Sequence, residues 1–174
     1  LCVTYRAESV TTAPAEDHEQ SLAALRACGG RVLAVPVDLA DPASIPALFD
    51  RAEAELGTVE ILVNNAAFSE PNRFAARPGA SDIAQRDVQE LTAKNHDRHF
   101  AVIGRAPALA MAEFARRHIR AGRTWGRVIN ISTDGADGFA GEISYGASKA
   151  ALESYSRAAA AELGPYGITV NIIS

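Results

Sequence analysis

Two kinds of segment take turns along the chain. Short apolar runs rich in branched residues, "LCVTY" (1–5), "RVLAVPVDL" (31–39), "VEILVNNAA" (59–67), "GRVINIS" (126–132) and "GITVNIIS" (167–174), read as buried parallel strands. Between them lie helical patterns. "EDHEQSLAALRACGG" (16–30) is closed by Gly29; "DPASIPALFDRAEAELG" (41–57) is opened by Asp41 at the cap with Pro42 behind it and closed by Gly57. Two further helices are predicted over roughly 96–120 and 144–163. Strand alternating with helix predicts an α/β fold with a parallel sheet covered on both faces. In such sheets ligands sit beyond the carboxyl ends of the strands, which directs attention to Arg6, Asp38, Asn65 and Ser132. Residues 68–95 are polar and punctuated by Pro and Gly, and read as a long excursion at the ligand edge that could serve as a lid.

Composition narrows the class. A chain of 174 residues that is 48% hydrophobic is expected to build one core of moderate size, as a single domain over 1–174. The formal net charge of −4, with arginines scattered among acids, points away from nucleic acid and leaves a small neutral or anionic ligand as the expected partner. Cys2 and Cys28 have no spacing of a disulfide framework or a metal site. With no apolar stretch near membrane-spanning length and no signal-like start, no membrane association is expected and the expected location is the cytoplasm.

Four stretches in a fixed order carry a resemblance: "EILVNNAA" (60–67), "GRVINIS" ending at Ser132, "YGASK" (145–149) and "GITVN" (167–171), with Ser132 thirteen residues before Tyr145. The chain resembles the short-chain dehydrogenase/reductase family, in particular its 3-oxoacyl-carrier-protein-reductase-like members, over nearly all its length except 68–95. The resemblance implies a Rossmann-like doubly wound parallel sheet flanked by helices. It also implies an oxidoreductase that interconverts a carbonyl and an alcohol by hydride transfer with NADP(H). Association as a homodimer or homotetramer through the 96–120 and 144–163 helices is implied as well.

The chemistry gives those residues a reason. A free tyrosine has a pKa near ~10, and an ammonium within a few ångströms favours the phenolate. Lys149, four residues beyond Tyr145 on a helix, is placed to be that neighbour. Tyr145 then acts as general acid or base on the substrate oxygen, Lys149 tunes it, and Ser132 holds the same oxygen by a hydrogen bond that strengthens as charge develops. Read singly, Tyr145 is a half-buried helix aromatic, Lys149 a solvated charge and Ser132 a strand-end cap; the shared order and spacing favour the joint reading.

For the cofactor, the resemblance matches Asp38 and Leu39 to the residues that meet the adenine, and Asn65, Ala66 and Ala67 to the family's "NNAG" stretch, with Ala67 in place of its glycine. Tyr145 and Lys149 are counted among the cofactor's contacts as well. Asp38 also reads as an aspartate at a helix start, and Asn65 as a brace for the central strand. At the end of the strand where an acid selects NAD, the chain has Tyr5-Arg6 and no acid before Glu8, which favours NADP through Arg6, with NAD the alternative.

Two departures qualify the match. The family's glycine-rich turn after the opening strand has no counterpart, and "GADGFAG" (135–141) follows Ser132 as a substrate-side loop, so the chain reads as lacking both ends of the family pattern. Without that strand the expected sheet either keeps a gap or closes with "LCVTY" beside "ILVNN". The family's helix asparagine, which supports a water leading to the lysine, aligns with Ile103; Asn95 lies two turns away. These departures keep open a cofactor-binding-deficient remnant that serves as a binding or oligomerisation module. A flavodoxin-like binding domain would leave the Ser132/Tyr145/Lys149 spacing unaccounted for. His96 and His99 read as a surface pair and no metal is expected; Trp125 reads as a packing residue.

Overall fold

The computed structural model of the protein describes residues 1–5, 15–75, 79, 81–82 and 85–174. The chain divides into two compact units, Leu1–Val59 and Glu60–Ser174.

In the first unit, β1 (Cys2–Tyr5) and β2 (Leu33–Pro36) pair in parallel, Cys2 opposite Leu33 and Tyr5 opposite Pro36, with α1 (Ala15–Ala27) between them in sequence and α2 (Ser44–Leu56) after them. Leu33 and Val35 are buried on one face of β2, and α2 buries Ile45, Phe49 and Ala52, the i, i+4, i+7 spacing of one helix stripe. Asp41 does not cap this helix. Its Oδ1 accepts from the Ala43 amide at 3.0 Å, while Ser44 Oγ donates to the carbonyls of Asp38 and Asp41 at 3.0 and 2.7 Å. The aspartates therefore build a turn ahead of a helix that starts at Ser44. It stops at Gly57, whose φ of +88° an L side chain rarely adopts.

The second unit runs β3 (Ile61–Asn64), β4 (Asn72–Arg73), β5 (Gln89–Glu90), α3 (Ala93–His99), a π-helical turn (Phe100–Arg105), α4 (Ala106–Arg120), β6 (Gly126–Ile131), α5 (Ile143–Leu163) and β7 (Ile168–Ile173). Its main sheet is parallel in the order β3-β6-β7, and β4 and β5 form a small parallel ribbon inside the 68–95 excursion. These short strands were not foreseen, because two-residue strands leave no periodic trace. β1 pairs with β2 within the first unit and β3 with β6 within the second.

The core of this unit lies where α4 and α5 meet one face of the sheet. Val128, Ile168 and Ile103 are 0% exposed, Leu152 and Phe114 1%. Burying a side chain of this kind stabilises by about 1.5–3 kcal/mol. On the other face of this sheet Ile61 and Val63 on β3 are 53% and 52% exposed, and Ile173 on β7 54%. The predicted 96–120 helix starts earlier, at Ala93, because the Thr92 side chain accepts from the Asn95 amide at 3.2 Å. Its middle widens into the π turn, where the Ala106 amide reaches back five residues to the Ala101 carbonyl. Pro107 explains the interruption, since it has no N–H to give the preceding turn and its ring crowds the carbonyl four residues back.

Two smaller expectations change. His99 is fully buried: its Nδ1 meets the Asn95 carbonyl at 2.8 Å and its Nε2 accepts from the Glu70 amide at 3.3 Å, so it is not half of a surface pair. Trp125 is 46% exposed with the Arg127 guanidinium 4.4 Å from its ring centre, a surface stack instead of a core contact.

Candidate active site

The carboxyl tip of β6 meets the first two turns of α5. Parallel pairing with β7 extends one residue past the strand, the Ser132 amide donating to the Ile173 carbonyl at 2.7 Å, which fixes the backbone of Ser132 at the sheet's edge. The helix opposite carries Tyr145, Lys149 and Glu153 at intervals of four, hence on one face. Lys149 is 2% exposed and its Nζ donates to the carbonyl of Ile131, the residue before Ser132. Ser132, 7% exposed, donates its hydroxyl to Glu153 Oε1 at 2.7 Å. The strand tip is thus held to the helix by two hydrogen bonds from adjacent residues.

Tyr145 sits one turn ahead of Lys149, half-buried, with the Lys149 ammonium 5.6 Å from its ring centre and the Phe139 ring edge-on at 6.1 Å. Burial raises the Tyr145 phenol above its ordinary value, and the Glu142 carboxylate raises it further. Burial also lowers the Lys149 ammonium. The lowering of Tyr145 by Lys149 that the spacing predicts is not found in this structure. The ammonium is engaged with Ile131, whereas the charge that shifts the phenol is the Glu142 carboxylate.

The loop over this helix start is packed closely. A Cβ on Gly146 would lie 2.9 Å from the Gly135 carbonyl oxygen and from the Phe139 side chain, so the residue after Tyr145 has room only for hydrogen. Glu142 accepts from Ser69 Oγ at 2.9 Å and pairs with Arg86, which also bonds Ser69 Oγ at 3.0 Å. Asn72, fully buried, accepts from the Ser144 amide at 3.0 Å and donates to Asn95, whose own amide donates to Glu70 at 3.0 Å. The described part of the 68–95 excursion is therefore tied to the start of α5 by side-chain bonds. Sequence reasoning missed Arg86, Asn72 and Glu142, since pairs 56 to 72 residues apart leave no local pattern.

Asn65, Ala66 and Ala67 follow β3 and are all exposed. The strand's brace is the preceding residue: Asn64 Nδ2 donates to Asn130 Oδ1 at 2.7 Å, and Asn130 Nδ2 to Ser156 Oγ at 2.7 Å. The doubled asparagine was the available signal, and only the register decides which of the two faces β6. Asp38 and Leu39 belong to the first unit, where Asp38 Oδ1 accepts from the Ala40 amide at 2.9 Å in the turn before α2. Arg6 lies outside the described residues. Ile103, at the position of the family's asparagine, is wholly buried apolar core and offers no polar side chain. A hollow lined by Leu1, Leu25, Cys28, Arg31, Val32 and Leu56 opens in the first unit at the amino ends of its strands and contains none of the candidate residues.

A family model described as Enoyl-(Acyl carrier protein) reductase matches residues 4–174. The chain belongs to the short-chain dehydrogenase/reductase family. Among relatives of this short-chain dehydrogenase/reductase, the uncharacterized oxidoreductase YjdA of Bacillus subtilis is 33% identical over 165 residues, 94% of this chain and 59% of that protein. The 3-oxoacyl-(acyl-carrier-protein) reductase FabG of Escherichia coli is 31% identical over 169 residues, 97% of this chain and 62% of that protein. A short-chain dehydrogenase from Burkholderia cenocepacia, solved in complex with NADP, superposes with a TM-score of 0.75 at 31% identity, covering 98% of this chain and 61% of that one. The chain thus spans about three fifths of the length of these relatives.

Proposed function

We propose that the protein interconverts a carbonyl and an alcohol by hydride transfer with NADP(H), with Tyr145 as general acid/base, Lys149 as its charged neighbour and Ser132 as the hydrogen-bonding group for the substrate oxygen. The observation that carries this reading is the meeting of the three at one place: Lys149 on the Ile131 carbonyl, Ser132 next to it, and Tyr145 one turn away on the same helix face. NADP is favoured by Arg6 and by the NADP complex of the Burkholderia relative. Among the described residues, the donor set fits a hydroxyl-rich group. The Lys149 ammonium has three protons and, among the described residues, donates to the Ile131 carbonyl, and the exposed Asn65-Ala66-Ala67 stretch leaves the tip of β3 open to close approach. Asp38 and Leu39, with Arg6, are assigned to the adenosine half.

When bound, the cofactor supplies or accepts the hydride. Tyr145, as a phenol with a raised pKa, holds its proton at neutral pH and gives it to the substrate oxygen during reduction; during oxidation it must first lose that proton. Lys149, one helical turn from the phenol, is in this reading the group that would stabilise the phenolate once its ammonium turns from the Ile131 carbonyl toward Tyr145. The Phe139 ring and the Ser69–Arg86–Glu142 bonds hold the loop and excursion against the helix start. The proposal extends to a cytoplasmic homodimer or homotetramer formed through α4 and α5, which expose Leu109, Ile119 and Tyr155. No described helix is long and apolar enough to cross a membrane.

The test is NADPH-dependent reduction of ethyl 3-oxobutanoate by the full-length protein, alongside fluorescence titration with NADPH. Tyr145→Phe is expected to abolish turnover and leave the NADPH dissociation constant unchanged. Equal turnover in the two proteins would overturn the role given to Tyr145.

A further inference from the structure

The helix that carries Tyr145 and Lys149 is capped by a residue from a distant part of the chain. The first amides of a helix have no partner within it. In α5 the first turn closes where the Gly146 amide donates to the Glu142 carbonyl at 2.9 Å, so the amides ahead of Gly146 need acceptors from elsewhere. Glu142, at the cap position, makes no side-chain cap bond; its carboxylate is taken by Ser69 and Arg86. The Ser144 amide donates instead to Asn72 Oδ1 at 3.0 Å, across 72 residues of sequence. The Ser144 hydroxyl has no hydrogen-bond partner among the described residues, so this residue is held through its amide.

Asn72 is itself fixed on every side. It is fully buried, and its backbone bridges to Glu142 and pairs with Gln89. Its Nδ2 donates to Asn95 Oδ1, and Asn95 Nδ2 donates to Glu70 Oε2 at 3.0 Å. A backbone amide only donates, so the oxygen of the Asn72 side chain must face Ser144 and its nitrogen Asn95. Tyr145 lies in the capped turn, where helices fray, whereas Lys149 lies one turn further in and is held by the Ile131 carbonyl.

We propose that Asn72 is a positioning residue for Tyr145: by capping the first turn of α5 from the 68–95 excursion, it holds the phenol where the substrate oxygen reacts. This rests on the reading of Tyr145 as the general acid/base. Asn72 moves no proton and acts through the Ser144–Tyr145 backbone. Its loss is therefore felt in the chemical step, while cofactor binding, which does not depend on the first turn of α5, is left in place.

The experiment uses the full-length protein with NADPH and ethyl 3-oxobutanoate, and reads kcat per NADPH-binding site, so that unfolded protein is not counted. Asn72→Ala removes the acceptor. It is expected to lower kcat about tenfold or more, since misplacing a reacting group by about 1 Å can cost about a hundredfold, and to leave the NADPH dissociation constant within about twofold of the parent. Asn72→Asp keeps an oxygen for the Ser144 amide and is expected to restore kcat to within about threefold. Both substitutions lower the urea midpoint, since a buried aspartate also costs stability, and only the Ala variant loses kcat. Hydrogen exchange at the Ser144 amide of the unsubstituted protein reads the cap directly and serves where the Ala variant does not fold; it is expected to be slower than in an unstructured chain by about tenfold or more. Unchanged kcat in the Ala variant, equal loss in the Ala and Asp variants, or exchange at Ser144 as fast as in an unstructured chain would overturn the positioning role alone. No turnover by the unsubstituted protein would overturn the functional reading, and this inference with it.

Discussion

The side-chain amide of Asn64 donates to the amide oxygen of Asn130 at 2.7 Å, and the two residues stand opposite each other at the carboxyl ends of β3 and β6. Asn130 is fully buried and passes a second hydrogen bond to Ser156 on α5, so one polar chain crosses from strand to strand to helix directly beneath the candidate site. Asn64→Ala removes the donor and leaves the Asn130 oxygen buried without it. A stability loss of about 1–3 kcal/mol is expected, read as a lower urea midpoint at unchanged m-value. An unmoved midpoint would mean that the pair does not brace the sheet.

Lys149 is a buried charge that the fold tolerates at a cost. Its pKa is lowered by burial, so below the ordinary lysine value of about 10.4 the unfolded chain holds the proton more readily than the folded one, and stability rises with pH across that window. Lys149→Met keeps the aliphatic stem and removes the charge. The variant is expected to lose turnover, to be at least as stable as the parent at neutral pH, and to lose the rise in stability toward alkaline pH. A Met variant less stable than the parent at neutral pH would contradict this account.

Glu142 raises the Tyr145 phenol after burial has done so first, and it is also the acceptor that ties the 68–95 excursion to the start of α5. Alcohol oxidation needs the phenolate, so its rate rises as pH climbs through the Tyr145 pKa. Glu142→Gln removes the carboxylate's contribution and leaves burial in place. The rising limb of kcat/KM for ethyl 3-hydroxybutanoate is expected to move to lower pH, and movement upward would show that the charge acts otherwise.

Gly167 has a φ of +74°, and a Cβ built there would lie 1.9 Å from the Thr124 carbonyl oxygen. Gly167→Ala combines a left-handed backbone with a clash against main chain. A loss of about 3 kcal/mol or more is expected in chemical unfolding. Gly30→Ala is the matched control, since its Cβ meets nothing within 4 Å and its φ is ordinary.

Much of the architecture was legible because it rests on local repetition. The five apolar runs all became strands, with β3 and β6 inside the predicted stretches, and α5 starts within a residue of its expected position. The face shared by Tyr145 and Lys149 was legible through spacing, as i and i+4 on a helix is geometry that sequence carries directly, whereas Ser132 was reached through the family resemblance. The π turn before Pro107 and the burial of His99 were not legible, because each depends on what packs against the helix. Asp41 shows the same limit on a small scale: it has the chemistry of a cap, and its carboxylate accepts from the Ala43 amide in the turn before the helix.

By itself the order of residues determined that parallel strands alternate with helices and that a phenol and an ammonium share one helix face, since both follow from the fixed periods of backbone geometry. Only tertiary structure decided where their polar atoms turn: Lys149 to the Ile131 carbonyl, Ser132 to Glu153, Asn64 and not Asn65 to Asn130. Those partners lie 18, 21 and 66 residues apart, and a hydrogen bond selects among candidates at that range by distance and angle, which exist only once the strand tip and the helix have packed.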